Sequence, residues 1–337
     1  MKIGIHHSKG SFSERWIEYC QEKNIEFKLV DCFKSDILLQ LNDCDVLLWH
    51  FHQNNASAML FARQLLYSLE MAGKKVFPDF HTIWHFDDKL GQKYLLEAIS
   101  APIPQTWVFY DKKDALLWAE KAVYPVVFKL RCGAGSQNVQ LVHNKRHAVK
   151  LIEKAFRNGF PKYDPVNSLK ERWRRFMLGK TNLHDVFKGL VRFIVPPPYS
   201  KGYGKERGYV YFQEFIPGND SDIRVVVIGD KAFAIKRLVR KNDFRASGSG
   251  NILYDRELFD ENTLKISFQL AQKLRSQCVA FDYVYKNGKP LVVEISYGFS
   301  PEGYDLCPGY WDKNLNWHEG KFNPYGWMVE NVIHSCL

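Results

Sequence analysis

Between Asp222 and Ser296 the chain sets acids and bases along strand-like apolar runs. They are Asp222-Ile-Arg224, Lys236-Arg237, Asp243-Phe-Arg245, and then Asp282 and Glu294. Charges rarely lie within a packed sheet unless they are paired or bind something charged. Carboxylates in such a place suit a metal, and arginines suit phosphate.

Register decides which of these side chains meet. Residues directly opposite in an antiparallel pair share a face. A two-residue turn at Gly229-Asp230 sets Ile228 against Lys231, Arg224 against Ile235 and Asp222 against Arg237. Asp222, Arg224 and Arg237 then share a face. A structural Asp222–Arg237 ion pair needs neither Arg224 nor Arg245, so a phosphate or carboxylate site is favoured. In the second hairpin, a plain Asn287-Gly288 turn sets Asp282 against Val293 and sends Asp282 and Glu294 to opposite faces. A three-residue loop over 287–289 sets Asp282 against Glu294. It also gathers Phe281, Tyr283, Tyr285, Leu291, Val293 and Ile295 on one apolar face, which register selection favours. Paired carboxylates repel unless they share a proton or a cation. Beside a phosphate site, oxygen ligands suit Mg²⁺; a proton-sharing dyad or a surface pair is the alternative. Lys129 ends the apolar strand 124–129, and Gly133-Ala-Gly-Ser136 follows. That loop is not a P-loop, since no Gly-Lys-Ser/Thr follows it. A plain tight turn competes with a phosphate-covering hairpin tip.

The elements that must position these residues read as follows. Residues 1–86 alternate strands and helices, with a strand at 2–6 and a capping box at Ser11-x-x-Glu14. Strands follow at 25–30 and 45–49, then a helix over 56–71 that stops at Gly73, and a strand at 76–77. This predicts a small α/β sheet with crossover helices. A second unit opens near residue 87, with a helix over 88–97 that turns Leu90 and Leu95 inward. Strands are expected at 106–109, 125–130 and 139–142, and helices at 115–121 and 147–157. Residues 158–208 read as an insertion or lid, helical around 168–178. A sheet-rich stretch follows, with strands at 209–215, 223–228, 231–239, 280–285 and 291–296. A helix spans 261–276, and the aromatic tail ends in a short helix.

The 337 residues are 46% hydrophobic and 15% aromatic, which excludes a disordered chain. No run approaches the roughly 18 apolar residues of a membrane span, and Met1-Lys-Ile-Gly-Ile5 lacks the apolar core of a signal peptide. Seven scattered cysteines without CxxC pairs read as reduced thiols in a cytoplasm. The net charge of +10 is local: residues 145–207 hold 16 Lys/Arg against 5 Asp/Glu. That segment is either a solvated surface insertion or a docking site for a polyanionic acceptor, a membrane surface or a nucleic acid.

Taken in order, the motifs resemble the ATP-grasp superfamily, and within it the RimK-like carboxylate–amine ligases. They are Asp88-Lys89, Pro125-Val-Val-Phe-Lys129, Gln213-Glu-Phe-Ile216, Asp222-Ile-Arg224, Asp243-Phe-Arg245, Asp282 and Val293-Glu294-Ile-Ser296. The resemblance covers roughly 87–300. It implies an ATP-grasp fold of α/β (α+β) class, with a Rossmann-like α/β domain over 1–86. The ATP-grasp domain would then span 87–337, with a basic insertion at about 158–208. It also implies residue roles. Lys89 and Lys129 meet ATP phosphates; Glu214, Phe215 and Ile216 meet adenine; Asp222 belongs to the nucleotide site. Arg245 lies near the phosphates and acyl phosphate, with Arg237 a neighbouring anion-binding arginine. Asp282 and Glu294 hold Mg²⁺ or Mn²⁺. Ser296 stands at a metal position where the family has asparagine, and Ser247 also replaces an asparagine.

The implied chemistry joins a carboxylate to an amine through an acyl phosphate, consuming ATP. No GxSxG elbow or HExxH motif offers another nucleophile or metal site. The expected partners are ATP, a carboxylate and an amine, with a polyanionic acceptor such as an acidic glycan or nucleotide-linked sugar at the insertion. Two alternatives stand beside this: an ATP-grasp kinase acting on a small molecule, and a non-catalytic polyanion- or nucleic-acid-binding protein.

Overall fold

The computed structural model describes residues 1–133, 138–161, 163, 165–177, 179, 181–195, 204–240 and 243–335. It divides into two compact units. One comprises Met1–His52, Ala58–Pro104 and Ile216–Leu337, and the other Gln53–Ser57 and Gln105–Phe215.

The first unit opens with β1 (Ile3–His6), α1 (Phe12–Glu22), β2 (Phe27–Val30), α2 (Ile37–Gln40), β3 (Val46–Leu48), α3 (Ala56–Met71), β4 (Lys75–Phe77), α4 (Phe80–Ile83) and α5 (Lys89–Ala98). Its strands form a parallel sheet ordered β2-β1-β3-β4, the crossover arrangement expected from the alternating pattern. The N-terminus of α1 is capped as anticipated, with one shift: Ser11 accepts from the Ser13 N–H, while Glu14 reaches Gly10 instead of Ser11. Helix α5 departs from expectation. Its buried residues are Lys89, Gln92 and Leu96, while Leu90 and Leu95 are only half-buried. A helix that turns a lysine and a glutamine inward must have polar partners there, and those partners lie on the C-terminal sheet.

The second unit contains β5 (Thr106–Phe109), α6 (Lys112–Lys121), β6 (Val126–Lys129), β7 (Val139–Val142), α7 (Lys145–Phe156), α8 (Pro165–Met177), α9 (Leu183–Val191) and β8 (Val210–Glu214). Its antiparallel sheet runs β5-β8-β6-β7. Helices α6 and α7 cover it through Ala115, Ala119, Ala148, Leu151 and Ile152, which pack on Val126, Phe128 and Phe212. The insertion is closed at its base by a two-way backbone pair between Phe160 and Glu206, each bond 2.9 Å. Gly159 permits this closure. Its φ is +65°, and a Cβ there would lie 2.7 Å from the Glu206 carbonyl. Within the insertion the structure forms two helices where the sequence pattern gave one.

The first unit resumes with β9 (Ser221–Ile228), β10 (Lys231–Leu238), β11 (Ile252–Leu253), α10 (Glu261–Leu274), β12 (Cys278–Lys286), β13 (Lys289–Ser296), β14 (Gly309–Asp312), β15 (Trp317–Glu319) and α11 (Pro324–His334). The seven-stranded sheet runs β13-β12-β9-β10-β14-β15, with β11 on β10. Its period-2 alternation separates two cores. Ile223, Val225, Val227, Ala234, Phe281 and Tyr283 face α10 residues such as Leu264 and Leu270. Val226, Ile228, Phe233, Ile235, Cys278 and Ala280 face Ile3, Ile5, Trp16 and the α11 residues Met328 and Val329. This second face is apolar only over part of its length. Continuing the same alternation, it next presents Asp222, Arg224, Arg237 and Asp282.

Candidate functional site

The β9–β10 hairpin has the register read from its turn: Ile228 faces Lys231, Arg224 faces Ile235 and Asp222 faces Arg237. The β12–β13 hairpin gives the anticipated pair by another route. Asp282 does face Glu294, but the turn is the two-residue Asn287-Gly288, with Lys286 against Lys289. The register shifts between Asp282 and Tyr283, so that Tyr283 faces Val292 and Val293 is the extra residue. This β-bulge replaces the expected three-residue loop. A bulge re-aims side chains without altering the turn. It also corrects the apolar face: Val292 and Ile295 enter the core with Phe281 and Tyr283, while Leu291 and Val293 are half-buried.

Asp282 also faces Arg224 across β9, so a charged row crosses β13, β12 and β9 and reaches β10. Arg237 binds Asp222 with both prongs of its fork, Nε to Oδ1 at 2.6 Å and Nη2 to Oδ2 at 2.7 Å. The same Nη2 lies 3.0 Å from Asp282 Oδ2. Arg224 Nε lies 2.6 Å from Asp282 Oδ1. From α5, the buried Lys89 places Nζ 3.2 Å from Glu294 Oε1. Three acids thus meet three bases. Helix α5 is fixed there by its N-cap Asp88, which accepts from the Gly91 N–H at 3.0 Å. Gln92 holds both backbone groups of Ile295, beside Glu294: its amide donates to the carbonyl at 2.9 Å and accepts from the N–H at 3.2 Å.

The electrostatics follow from burial against pairing. Burial alone would raise the Asp282 carboxyl, but Arg224 and Arg237 hold it below the usual carboxylate range. Burial works against both guanidiniums, yet Asp282 keeps them protonated beyond the ordinary arginine value. At Asp222 burial wins over Arg237, and its carboxyl stands above its usual range. Arg224 Nε and Asp282 Oδ1 are buried without a hydrogen bond, because their close contact lacks the alignment of one. This pair is held by charge more than by a directed bond. Asp282 and Glu294, face to face across the two strands, fit an oxygen-ligated divalent cation. Ser296 fits less well: its hydroxyl donates to the Gly298 carbonyl at 3.1 Å and accepts from the Gly298 N–H at 3.2 Å. Among the described residues no group of three or more His, Cys, Asp or Glu could hold a metal.

The structure thus gathers Lys89, Asp222, Arg237, Asp282 and Glu294, and adds Arg224. Arg245 lies in the loop after β10 and is chelated by Asp243, with its Nη2 at 2.6 Å from Oδ2 and its Nε at 2.9 Å from Oδ1. Lys129, Glu214 and Phe215 belong to the second unit. Lys129 is buried at the end of β6 opposite Val139 and Tyr211. Glu214 pairs with Val126 across β8–β6, and the Glu214 carboxylate accepts from the Gln105 N–H at 3.3 Å. Ile216 is buried in the first unit and accepts from Asn219. Of the glycine loop 133–136, residues 134–136 lie outside the described residues.

Three contributors escape the sequence pattern. Gln92 is one. Tyr304 is another: its buried hydroxyl has no hydrogen bond, and burial pushes it up to about 12 although Arg224 and Arg237 pull it down. Buried Arg240 is the third, donating to the Ser247 carbonyl at 2.6 Å. Only Arg240, three residues past Arg237 at the end of an apolar strand, leaves a readable trace.

Residues 206–304 match the family model of the RimK-like ATP-grasp domain. The chain is 26% identical over 217 residues to the alpha-aminoadipate–LysW ligase LysX of Saccharolobus solfataricus. That match covers 64% of this chain and 60% of the relative, so the chain spans less than two thirds of that protein's length. Among solved structures, a RimK domain ATP-grasp protein from Sphaerobacter thermophilus aligns with a TM-score of 0.56 at 16% identity, covering 99% of this chain and 100% of that one. D-alanine–D-alanine ligase from Bacillus anthracis, complexed with ATP, gives 0.56 at 14% identity over 99% and 95%. N5-carboxyaminoimidazole synthetase from Staphylococcus aureus, complexed with ADP, gives 0.61 at 13% identity over 100% and 78%. At such identities the likeness establishes a shared fold.

Proposed function

From a chain that is a member of the ATP-grasp superfamily and carries a RimK-like ATP-grasp domain, we propose an ATP-dependent carboxylate–amine ligase. Its substrates are ATP, a carboxylic acid and an amine. The carboxylate oxygen attacks the γ-phosphorus, the bond to the bridging oxygen breaks, and ADP leaves. The amine nitrogen then attacks the acyl carbon, inorganic phosphate leaves, and an amide remains. An ionised carboxylate needs no general base, so the protein's task is positioning and charge cancellation.

The observation that carries this reading is the buried charged row, in which Asp282 faces Glu294 beside Arg224 and Arg237. We assign Arg237 and Arg245 to the transferring phosphate and acyl phosphate, with Arg224 beside them. Asp222 holds Arg237 by two parallel bonds, so the guanidinium is oriented before substrate arrives. Lys89 and Lys129 are assigned to phosphate oxygens, and Glu214, Phe215 and Ile216 to adenine. Asp282 and Glu294 would hold Mg²⁺ or Mn²⁺, which when bound offsets phosphate charge. Ser296 is assigned to the same ion, as its weakest donor.

We further propose a pre-ATP-grasp domain over 1–86 and an ATP-grasp domain over 87–337, with the basic insertion at about 158–208. The compact units cut the chain differently, because β1 and α1 share a core with β9, β10 and α11. The described cysteines are free thiols, in keeping with a cytoplasmic setting. Among the described residues no helix is long and apolar enough to cross a membrane.

The test is a screen of acid–amine pairs, including acidic glycans and nucleotide-linked sugars, for ADP release read with mass spectrometry of the product. The expected result is ADP release that requires both partners and an amide product. A stable phosphorylated product formed without an amine would replace the ligase with a kinase.

A further inference from the structure

The α8–α9 hairpin lies outside the charged row, and its apolar surface has no account in the ligase chemistry. On α9 the residues Leu183, Phe187, Leu190 and Val191 recur at helical spacing and form one stripe. All four are exposed, Phe187 by 58%. The neighbouring side of α9 is occupied by α8. Val186 and Gly189 are buried there, and a Cβ on Gly189 would come within 2.8 Å of Arg172 Cδ and 2.9 Å of Leu169 Cδ1. The stripe therefore points away from its helical partner. It continues beyond α9 into Ile194, which is 86% exposed, while Trp173 of α8 is half exposed. Exposed Lys170 and Lys188 and half-buried Arg192 flank it. Contiguous exposed apolar surface of this kind marks an interaction site.

The charge selects the occupant. Residues 145–207 hold 16 Lys/Arg against 5 Asp/Glu, so the partner is anionic. A nucleic acid or a soluble glycan would use the charge but leave the apolar stripe wet. A second copy would bring two like-charged segments together. An anionic bilayer uses both features: large apolar side chains enter the headgroup–acyl boundary, and lysine and arginine meet the headgroups. We propose that the α8–α9 hairpin is a reversible docking surface for an anionic phospholipid bilayer.

The test sediments the full chain with vesicles of phosphatidylcholine alone and with vesicles of phosphatidylcholine and phosphatidylglycerol in equal parts. Wild type is expected to bind the anionic vesicles at least about tenfold more tightly, and added salt should remove the difference. Phe187→Ser combined with Leu190→Ser should weaken anionic-vesicle binding about tenfold or more. Lys188→Ser combined with Arg192→Ser should weaken it about tenfold by a route that leaves the apolar stripe intact. Circular dichroism and melting of both variants should match wild type, since these side chains are exposed or half-buried. Wild type that stays in the supernatant with anionic vesicles overturns the proposal. So does a dimer that the Phe187/Leu190 variant dissociates, because the stripe then belongs to a second copy. Binding of polyglutamate with the same dependence on Phe187 and Leu190 overturns it in favour of an acidic protein.

Discussion

Two regions carry charge in opposite ways. In the row across β10, β9, β12 and β13, Arg237 and Asp282 are deeply buried, as is Lys89 on α5, and with the half-buried Asp222 each lies against an opposite charge. In the α8–α9 hairpin, Lys170 and Lys188 are exposed, and so are the apolar Leu183, Phe187, Leu190 and Val191. The difference lies in what each region sacrifices if a partner is missing. A buried ion without its counter-ion forfeits hydration that nothing replaces. An exposed one keeps its water and contributes little in either state. The first region must therefore be complete before substrate arrives, whereas the second can remain incomplete until a partner comes.

The largest expected effect tests that contrast directly. Asp282→Ala leaves Arg224 and Arg237 buried without the carboxylate they share, at a cost of about 3–5 kcal/mol in urea unfolding. Lys170→Ala in the hairpin should stay within about 0.5 kcal/mol of wild type. Similar costs at the two sites would break the comparison, since water would then reach the row as freely as the hairpin.

Acid titration sharpens it. Asp282 has its folded pKa depressed. Its contribution is therefore present above the unfolded value of about 3.9, and is lost only as pH falls further, through the folded value. The row should hold through mild acid. The weak points there are two buried neutral histidines, His50 and His85, which burial lowers to about 3 and about 4. The unfolded chain binds protons at these residues below about pH 6.5 while the folded chain does not. Unfolding free energy should thus decline from near pH 6.5 toward pH 4, at roughly 1 kcal/mol per pH unit for each histidine. Both ring nitrogens of His85 lack hydrogen bonds. His85→Leu should flatten the decline without lowering stability at pH 8, and an unchanged slope would remove His85 from the account.

A third substitution separates holding the row together from using it. Glu294 is 33% exposed on its side chain where it meets Lys89. Glu294→Gln keeps an oxygen for the buried Lys89 but removes its counter-charge, so it should cost about 1–3 kcal/mol, less than Asp282→Ala, yet abolish ADP release. Turnover at the wild-type rate would dismiss Glu294 from the chemistry, and wild-type turnover in EDTA would dismiss the metal.

Much of the row was legible because a sheet converts sequence spacing into contact. The Gly229-Asp230 turn alone places Asp222 against Arg237. The Asp282–Glu294 pair was legible in outcome but not in cause. Leu291, Val292 and Val293 are all apolar, so nothing in their types shows which one bulges. The inward face of α5 is not legible because leucine spacing competes with Lys89 and Gln92, and only tertiary partners decide the contest. Tyr304 reaches the row from a loop, where no periodicity records its direction. In the hairpin, glycine, lysine and mixed apolar residues between 178 and 195 blur the helical period, so α9 was missed although its capping residue Asn182 is a regular helix-start signal.

The smallest expected effect asks whether the hairpin packs as tightly as the base that carries it. At the base, Gly159 has φ +65°, and an added Cβ would stand 2.7 Å from the Glu206 backbone carbonyl. Backbone cannot swing aside, so Gly159→Ala should cost more than about 1 kcal/mol through its left-handed conformation alone. In α9, Gly189→Ala meets Arg172 Cδ at 2.8 Å and Leu169 Cδ1 at 2.9 Å, side-chain atoms that can give way where a backbone carbonyl cannot. Replacing glycine inside a helix with alanine gains about 1 kcal/mol of helix propensity. A modest overpacking cost of similar size opposes it. The two should nearly cancel, leaving the melting curve close to that of wild type. If Gly189→Ala instead matches the loss at Gly159, α8 and α9 are locked together as rigidly as the sheet. The hairpin would then present its stripe as a fixed surface, without adjusting to what it meets.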